Sequence, residues 1–385
     1  MDLRLSEEQQ MLRKLARDFF EKECPKSLVR KMARDESGHD PELWQKMAGL
    51  GWMGLAFPDA YGGASGSFLD LVILLEEMGR ACLPGPYFST VVLCGLTILD
   101  VGSDELKQTQ LPIIARGDRL MAFCLTEPSA RYDAAAIAAC AVSQDGHHLI
   151  KGTKLFVNDA HVADCLLCAA RTSDARDPDQ GITLFLMDAR SPGIICTVLN
   201  TIGFDKQCEV IFNNVRVGNE AILGKPGYGW SVVNRALERA AVGRCADMVG
   251  SAAAALEMST SYARERVQFG RPIGSFQAIQ HYCANMAVDV EASRLITYQA
   301  AWRISRGLPS AMDVSIAKHW VNEACQRVTI LGHQIHGGLG FCDDHDMHLF
   351  HRRTRAGSLL FGDTTFHQKA VARELLTEEV FFPEL

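Results

Sequence analysis

Two changes of pattern, one near Arg119 and one at Gly224-Lys225-Pro226-Gly227-Tyr228-Gly229, divide the chain into three stretches with different periodicities. Before Arg119 the apolar residues recur at helical spacing. From Ser6 to Leu50 the pattern reads as amphipathic helix, with Leu12, Leu15, Phe19 and Phe20 on one face and charges on the other. A second helix is predicted from Phe68 to Cys82. The connector Phe57-Pro58-Asp59-Ala60-Tyr61-Gly62-Gly63-Ala64 breaks either kind of regular element through its proline and paired glycines. Between Arg119 and Leu223 the apolar runs are short: Met121 to Leu125, His148 to Ile150, Leu155 to Val157, Asp164 to Ala170, Ile182 to Met187 and Glu209 to Phe212. Gly, Asp and Asn clusters separate them, which predicts a small antiparallel β-domain. Beyond the glycine break, a sequence rich in Ala, Arg, Glu and Leu predicts long helices packed as a bundle. The expected fold class is α+β, mainly α: an N-terminal helical domain over 1–118, a middle β-domain over 119–223 and a C-terminal four-helix bundle over 224–385. A chain of 385 residues, 48% of them hydrophobic, has enough apolar side chain for two or three such domains.

Charge and cysteine usage exclude several classes of function. A net charge of -7 creates no global field for nucleic acid or anionic membrane. Met1 to Phe20 interleaves Glu7, Glu8, Arg13, Lys14 and Asp18 with apolar residues, unlike the unbroken core of a signal peptide. Apolar stretches such as Ala134 to Val142 fall far short of the roughly 20 residues a membrane span requires. Thirteen scattered cysteines, without ligand-like spacing to histidine, predict reduced thiols in a cytoplasmic protein. Histidines at 333, 336, 345, 348, 351 and 367 are dense, but their polar, acidic setting predicts structural or solvated roles and no metal.

Four local motifs carry chemistry. In Tyr262-Ala263-Arg264-Glu265-Arg266-Val267-Gln268-Phe269-Gly270, followed by Phe276-Gln277-Ala278-Ile279-Gln280, Arg266 offers a planar fork of donors to a pyrophosphate and Phe269 a ring for packing. The plain alternative is a basic helix end with Gly270 as its cap. In Gln334-Ile335-His336-Gly337-Gly338-Leu339-Gly340 the adjacent glycines let backbone amides approach a phosphate closely. The other two are Leu125-Thr126-Glu127-Pro128-Ser129 through Asp133, and Gly152-Thr153-Lys154-Leu155-Phe156-Val157-Asn158-Asp159-Ala160.

Together these segments closely resemble the acyl-CoA dehydrogenase superfamily, in family order and over nearly the whole chain. Tyr61-Gly62-Gly63 and Glu76-Glu77-Met78-Gly79-Arg80 add to the likeness. The resemblance implies FAD as cofactor, with Leu125, Thr126, Phe156 and Asn158 around the flavin ring. Phe156 stands where relatives have Trp, and Asn158 where they have Thr. It further implies FAD contacts from Arg266, Gln268, Phe269, Gln277, Gln334, Gly337, Gly338 and Thr364, some donated by a neighbouring subunit. Tyr132 and Arg239 are the implied substrate contacts, although Arg131-Tyr132 replace a usual Gly-Ser pair on the pantetheine route. The implied partners are an acyl-CoA substrate, an electron-transferring flavoprotein, and further subunits in a homotetramer or a hetero-oligomer of related chains.

Family members remove the proton alpha to the thioester carbonyl with a carboxylate while the beta hydride passes to the flavin. In many relatives that carboxylate is the Glu of a Y-E-G-T segment. The matching stretch here is Phe361-Gly362-Asp363-Thr364, with glycine at the position of the base. Two replacements are available. Glu238 resembles the helix position from which isovaleryl-CoA and long-chain acyl-CoA dehydrogenases supply their base; its plain alternative is a helix-face ion pair with Arg235. Asp363 lies one residue beyond the glycine; its plain alternative is a cap on the helix from Thr364 to Leu376. Besides α,β-dehydrogenation, the missing glutamate leaves open a desulfinase or nitroalkane-oxidase-like chemistry, or a catalytically silent subunit.

Overall fold

The computed structural model describes residues 4–377. The helical pattern at the start of the chain resolves into α1 (Glu7–Glu23), α2 (Lys26–Arg34) and α3 (Pro41–Gly49) rather than one run. Pro25 causes the first break, because its missing N–H and its ring disfavour helix at and before it. The second falls where Gly38 turns at φ 67°. Two of the three starts carry side-chain caps: Ser6 and Gln9 form a reciprocal capping box on α1, and Asp40 accepts from the Leu43 N–H ahead of α3. Ala16 and Phe20 carry the buried face of α1, whereas Leu15 points outward, 51% exposed. Three further helices follow, α4 (Phe68–Ala81), α5 (Leu96–Val101) and α6 (Asp104–Ala115).

The strands are β1 (Met121–Cys124), β2 (Cys140–Gln144), β3 (His147–Asn158), β4 (Cys165–Arg171), β5 (Ile182–Asp188), β6 (Ile194–Leu199), β7 (Gln207–Gly218) and β8 (Ile222–Leu223). They form one sheet in the order β6-β7-β3-β2-β4-β5-β8, with β1 beside β4. Pairing is antiparallel except for β1 with β4 and a short junction of β2 with β4. Two runs expected to be separate strands, around Ile150 and Val157, are one strand, β3. It passes through Gly152 with shifts of register against β7. Three strands of the sheet, β2, β6 and the two-residue β8, lacked a sequence signal. β2 lies in an alanine-rich stretch, and β6 is an edge strand whose Ile195 and Val198 stay exposed, so apolar and polar residues do not alternate along it. The Cys165-x-x-Cys168 spacing lies along β4, where residues three apart face opposite sides of the sheet.

The final stretch holds α7 (Gly229–Glu265), a two-stranded ribbon of β9 (Val267–Gln268) and β10 (Arg271–Pro272), then α8 (Gln277–Ser305), α9 (Ala311–His336), α10 (Met347–Gly357) and α11 (Thr364–Thr377). The architecture is α+β and mainly α. Within the described residues the chain forms two compact units, one of residues 31–67 and 84–240, the other of residues 4–30, 68–83 and 241–377. The first centres on the sheet, where Ala122, Cys124, Ile150, Phe185, Val210 and Phe212 form a closed apolar core. The second is all helical apart from the β9–β10 ribbon. In it α4 and α7 touch backbone to backbone: a Cβ on Gly250 would stand 1.8 Å from the Glu76 carbonyl oxygen, so only glycine allows the crossing. Glu76 is buried there, taking hydrogen bonds from Arg294 Nε at 2.8 Å and Tyr298 Oη at 2.6 Å. Among the described residues no helix is long and apolar enough to cross a membrane.

Candidate active site

The site residues expected from sequence fall into two groups, one in each unit. In the sheet unit, Leu125 and Thr126 leave the end of β1 and are tied to β3. The Leu155 N–H donates to the Thr126 carbonyl at 2.8 Å. Lys154 Nζ donates to the Leu125 carbonyl at 3.1 Å and to Glu127 Oε1 at 2.7 Å. Glu127 also accepts from the Ala138 and Ala139 N–H groups at 2.9 and 3.1 Å. Both charged side chains are buried, Lys154 completely. Such a pair survives burial only because each partner's polar atoms are answered. Sequence reasoning passed over both residues; the available signal was a lone lysine between apolar residues in a strand.

Next on β3, Phe156 adopts φ 56°, a strained backbone for a bulky residue, and leaves its ring 44% exposed. Asn158 Oδ1 is buried without a hydrogen-bond partner in the protein, an acceptor left unanswered. Tyr132 is half-buried, and its neighbour Arg131 pairs with Asp133 at 2.8 Å. On α7, Arg239 grips Asp100 with both terminal nitrogens, at 2.7 and 2.9 Å, and Arg235 reaches the same carboxylate at 3.7 Å. Glu238 is half-buried on the same helix. The Arg239 fork assigned above to substrate is therefore engaged within the protein.

In the helical unit, Arg266 and Gln268 are exposed, leading into a two-residue hairpin turn. Phe269 and Gly270 both take positive φ, 56° and 78°, matching the twist of a tight hairpin. Gly270 is thus a hairpin residue, not a helix cap, and Phe269 stands 91% exposed at the tip. Gln277 opens α8. Before the hairpin, the Tyr262 ring stacks on His336 with centroids 4.6 Å apart, which brings this motif beside the Gly337–Gly340 turn. Nothing lies within 4 Å of a Cβ built on Gly337 or Gly338, so the space beside both α-carbons is open. Gln334 is exposed at the last turn of α9. His336 Nδ1 donates to the Gly332 carbonyl at 2.8 Å, and His333 stacks on Phe341 at 4.5 Å. Among the described residues no three His, Cys, Asp or Glu side chains converge as metal ligands would.

Three family models match in chain order: acyl-CoA dehydrogenase N-terminal domain over residues 6–118, middle domain over 122–215 and C-terminal domain over 227–376. The chain belongs to the acyl-CoA dehydrogenase family. It is 33% identical to acryloyl-CoA reductase (NADH) of Anaerotignum propionicum, over 98% of this chain and 96% of that one. It is 32% identical to the caffeyl-CoA reductase-Etf complex subunit CarC of Acetobacterium woodii, over 96% and 99%. The butyryl-CoA dehydrogenase structure from Megasphaera elsdenii superposes with a TM-score of 0.91 at 30% identity, covering 98% of this chain and all of that one. The chain is accordingly an FAD-dependent oxidoreductase acting on acyl-CoA.

The residues of this chain fit the cofactor. The unanswered Asn158 Oδ1 suits a flavin N–H, the exposed Phe156 ring suits a flavin face, and the open glycine turn beside exposed Arg266 suits phosphate oxygens. Thr364 is the first residue of α11 and is partly covered.

At the loop where relatives carry their glutamate, the chain closes the position. Gly362 has φ 101°, and a Cβ there would lie 2.5 Å from His367 Nε2 and 2.6 Å from the Phe366 ring. Any side chain meets both a disfavoured backbone and an occupied space. Gly362→Ala is expected to lower unfolding free energy by about 1–3 kcal/mol, measured by denaturant titration. Asp363 Oδ1 accepts from the Phe366 N–H at 2.7 Å and so caps α11.

His367 itself is fixed as a neutral imidazole. The Phe361 carbonyl only accepts, so Nε2 carries the proton it donates at 3.0 Å, and Nδ1 faces Ser315 Oγ at 3.2 Å. Burial, aided by the nearby Lys318 and His319, outweighs the Phe361 hydrogen bond and the Asp363 carboxylate and pulls its pKa from 6.5 down to about 4. Between those values the unfolded chain binds a proton that the folded chain refuses, so stability is lost as pH falls from 6.5 through 4. His367→Gln keeps an N–H for Phe361 without titrating. Its melting temperature is expected to decline less steeply over that window than the wild type's.

Proposed function

We propose that this chain forms a trans-2-enoyl-CoA from a saturated acyl-CoA, with Glu238 as the base, and passes its electrons to an electron-transferring flavoprotein. The observation that carries the reading is Gly362, closed to any side chain, in a chain that keeps a half-buried glutamate on α7. FAD, when bound, supplies the acceptor for the hydride leaving the beta carbon. Glu238 takes the alpha proton, which requires a carboxylate held on a rigid element. The Asp100 clamp on Arg239 and Arg235 stiffens that part of α7. Asp363 stays a helix cap, and Tyr132 lines the pantetheine route. The name of the Acetobacterium woodii relative, which couples it to an Etf complex, supports the electron partner.

Exposed apolar residues along α8 and α9, Val288, Leu295, Trp320 and Ile330, support an assembly of several copies, as does Phe269 at its hairpin tip. We place the protein in the cytoplasm, on the reduced state implied by its scattered cysteines. The test is anaerobic mixing of the FAD-loaded protein with a panel of acyl-CoAs. One thioester class is expected to bleach the flavin and yield the matching enoyl-CoA. A flavin that no acyl-CoA bleaches, but that enoyl-CoA reoxidises after chemical reduction, would reverse the physiological direction.

A further inference from the structure

The edge of the sheet holds a group of side chains that this reaction does not use. β6 and β7 pair with Cys196 opposite Val210 and Val198 opposite Cys208. Cys196 and Cys208 are therefore diagonal neighbours on one face, since residues two apart on a strand share a side. Cys196 is exposed and Cys208 buried. The Cys208 thiol holds Cys196 below the ordinary thiol range against the opposing effect of burial. On its other side the Cys208 Sγ lies 3.7 Å from His161 Nδ1. His161 Nε2 faces the Ser37 carbonyl at 3.0 Å. A carbonyl only accepts, so Nε2 holds the imidazole proton and Nδ1 is left as an acceptor aimed at Cys208.

We infer that Cys196 and Cys208 are a peroxide-responsive pair, in which an exposed thiol is oxidised and a buried thiol, backed by His161, closes a cross-strand disulfide. The Cys196 thiolate attacks one oxygen of hydrogen peroxide, breaking the O–O bond and leaving a sulfenic acid and hydroxide. Cys208 then gives its proton to His161 Nδ1 as its sulfur attacks the Cys196 sulfur, forming the S–S bond and expelling hydroxide. The protons held by His161 and lost earlier by Cys196 convert both hydroxides to water. In sum, two thiols and one peroxide become one disulfide and two waters, each sulfur losing one electron. Diagonal strand neighbours sit near the outer limit of disulfide reach, so the bond is strained and readily reduced, as a reversible switch requires. The edge position of β6 lets that strand shift to close it.

The register also places the switch. Cys208 pairs with Val157 and Gln207 with Asn158 on β3, beside the strained Phe156. Closing the bond pulls on the strand that carries the flavin-facing residues. This consequence rests on the flavin reading above, whereas formation of the bond does not.

The experiment treats FAD-loaded protein with hydrogen peroxide, blocks remaining thiols, and maps peptides by mass spectrometry, with Cys342 as an exposed control that faces a backbone carbonyl rather than a thiol. A Cys196–Cys208 cross-linked peptide is expected to accumulate about tenfold faster than Cys342 oxidises, and to vanish with dithiothreitol. Cys208→Ala should instead trap a dimedone-reactive sulfenic acid at Cys196, and Cys196→Ser should show no cross-link. His161→Gln should slow closure without slowing sulfenic acid formation. The inference is overturned if Cys196 oxidises no faster than Cys342, or if it proceeds to sulfinic acid equally in wild type and Cys208→Ala. A disulfide that forms without changing the flavin spectrum, in a protein that an acyl-CoA still bleaches, would overturn only the link to the flavin.

Discussion

Glu238→Gln is expected to bind FAD with an unaltered visible spectrum and to be bleached by its acyl-CoA about 10²–10⁴ times more slowly than the wild type. Glutamine keeps the shape and the hydrogen-bonding reach of glutamate but cannot take a proton, so the loss isolates proton abstraction. Such a factor corresponds to roughly 3–5 kcal/mol of barrier. Asp363→Asn is the matched control. Asparagine caps a helix as well as aspartate does, so α11 should stay folded and the bleaching rate should stay near that of wild type. The reverse pattern, a slow Asp363→Asn beside a normal Glu238→Gln, would move the base to the C-terminal loop. Gly362→Glu placed in the Glu238→Gln background should not recover activity, because His367 and Phe366 fill the volume the new side chain needs.

The family, the helix–β–helix order of the three stretches and the absence of a glutamate at position 362 were legible in the sequence because each is written in contiguous residues. Motifs such as Arg266 to Gly270 need only local geometry, and the structure gives them a two-residue hairpin consistent with their glycine. The long helices α7, α8 and α9 were legible for the same reason. What stayed hidden depends on residues far apart in the chain. Lys154 reads as an odd lysine in a strand until β1 delivers Glu127 to it. His367 reads as one histidine among many until its ring is found in the space beside Gly362. Helix starts at Lys26 and Pro41 were blurred because the apolar spacing runs on across Pro25 and Gly38 while the backbone does not. β6 was silent because an exposed edge strand needs no alternation to be stable.

Lys154→Met is expected to cost about 3–5 kcal/mol of unfolding free energy, the range for removing one partner of a buried ion pair. The Glu127 carboxylate would remain in a buried site with only backbone amides to answer it, from Ala138 and Ala139. Leu125 would also lose a donor to its carbonyl. The pair's charges need each other more than the fold needs the pair, so adding Glu127→Gln to Lys154→Met should restore part of the loss rather than add to it. That sign is the informative part. A double variant less stable than either single one would mean that the two residues act independently, Lys154 by packing and Glu127 by holding the 138–139 turn. The functional reading follows from the same geometry, because the pair fixes the Leu125–Pro128 loop against β3 by side chain while Leu155 fixes it by backbone. Lys154→Met should therefore weaken FAD binding under conditions where it is still folded, whereas Gly362→Ala, which disturbs only the other unit's loop, should lose stability without releasing the cofactor. If Lys154→Met unfolds within about 1 kcal/mol of the wild type, the size of an exposed pair, the buried pair is not what holds the loop.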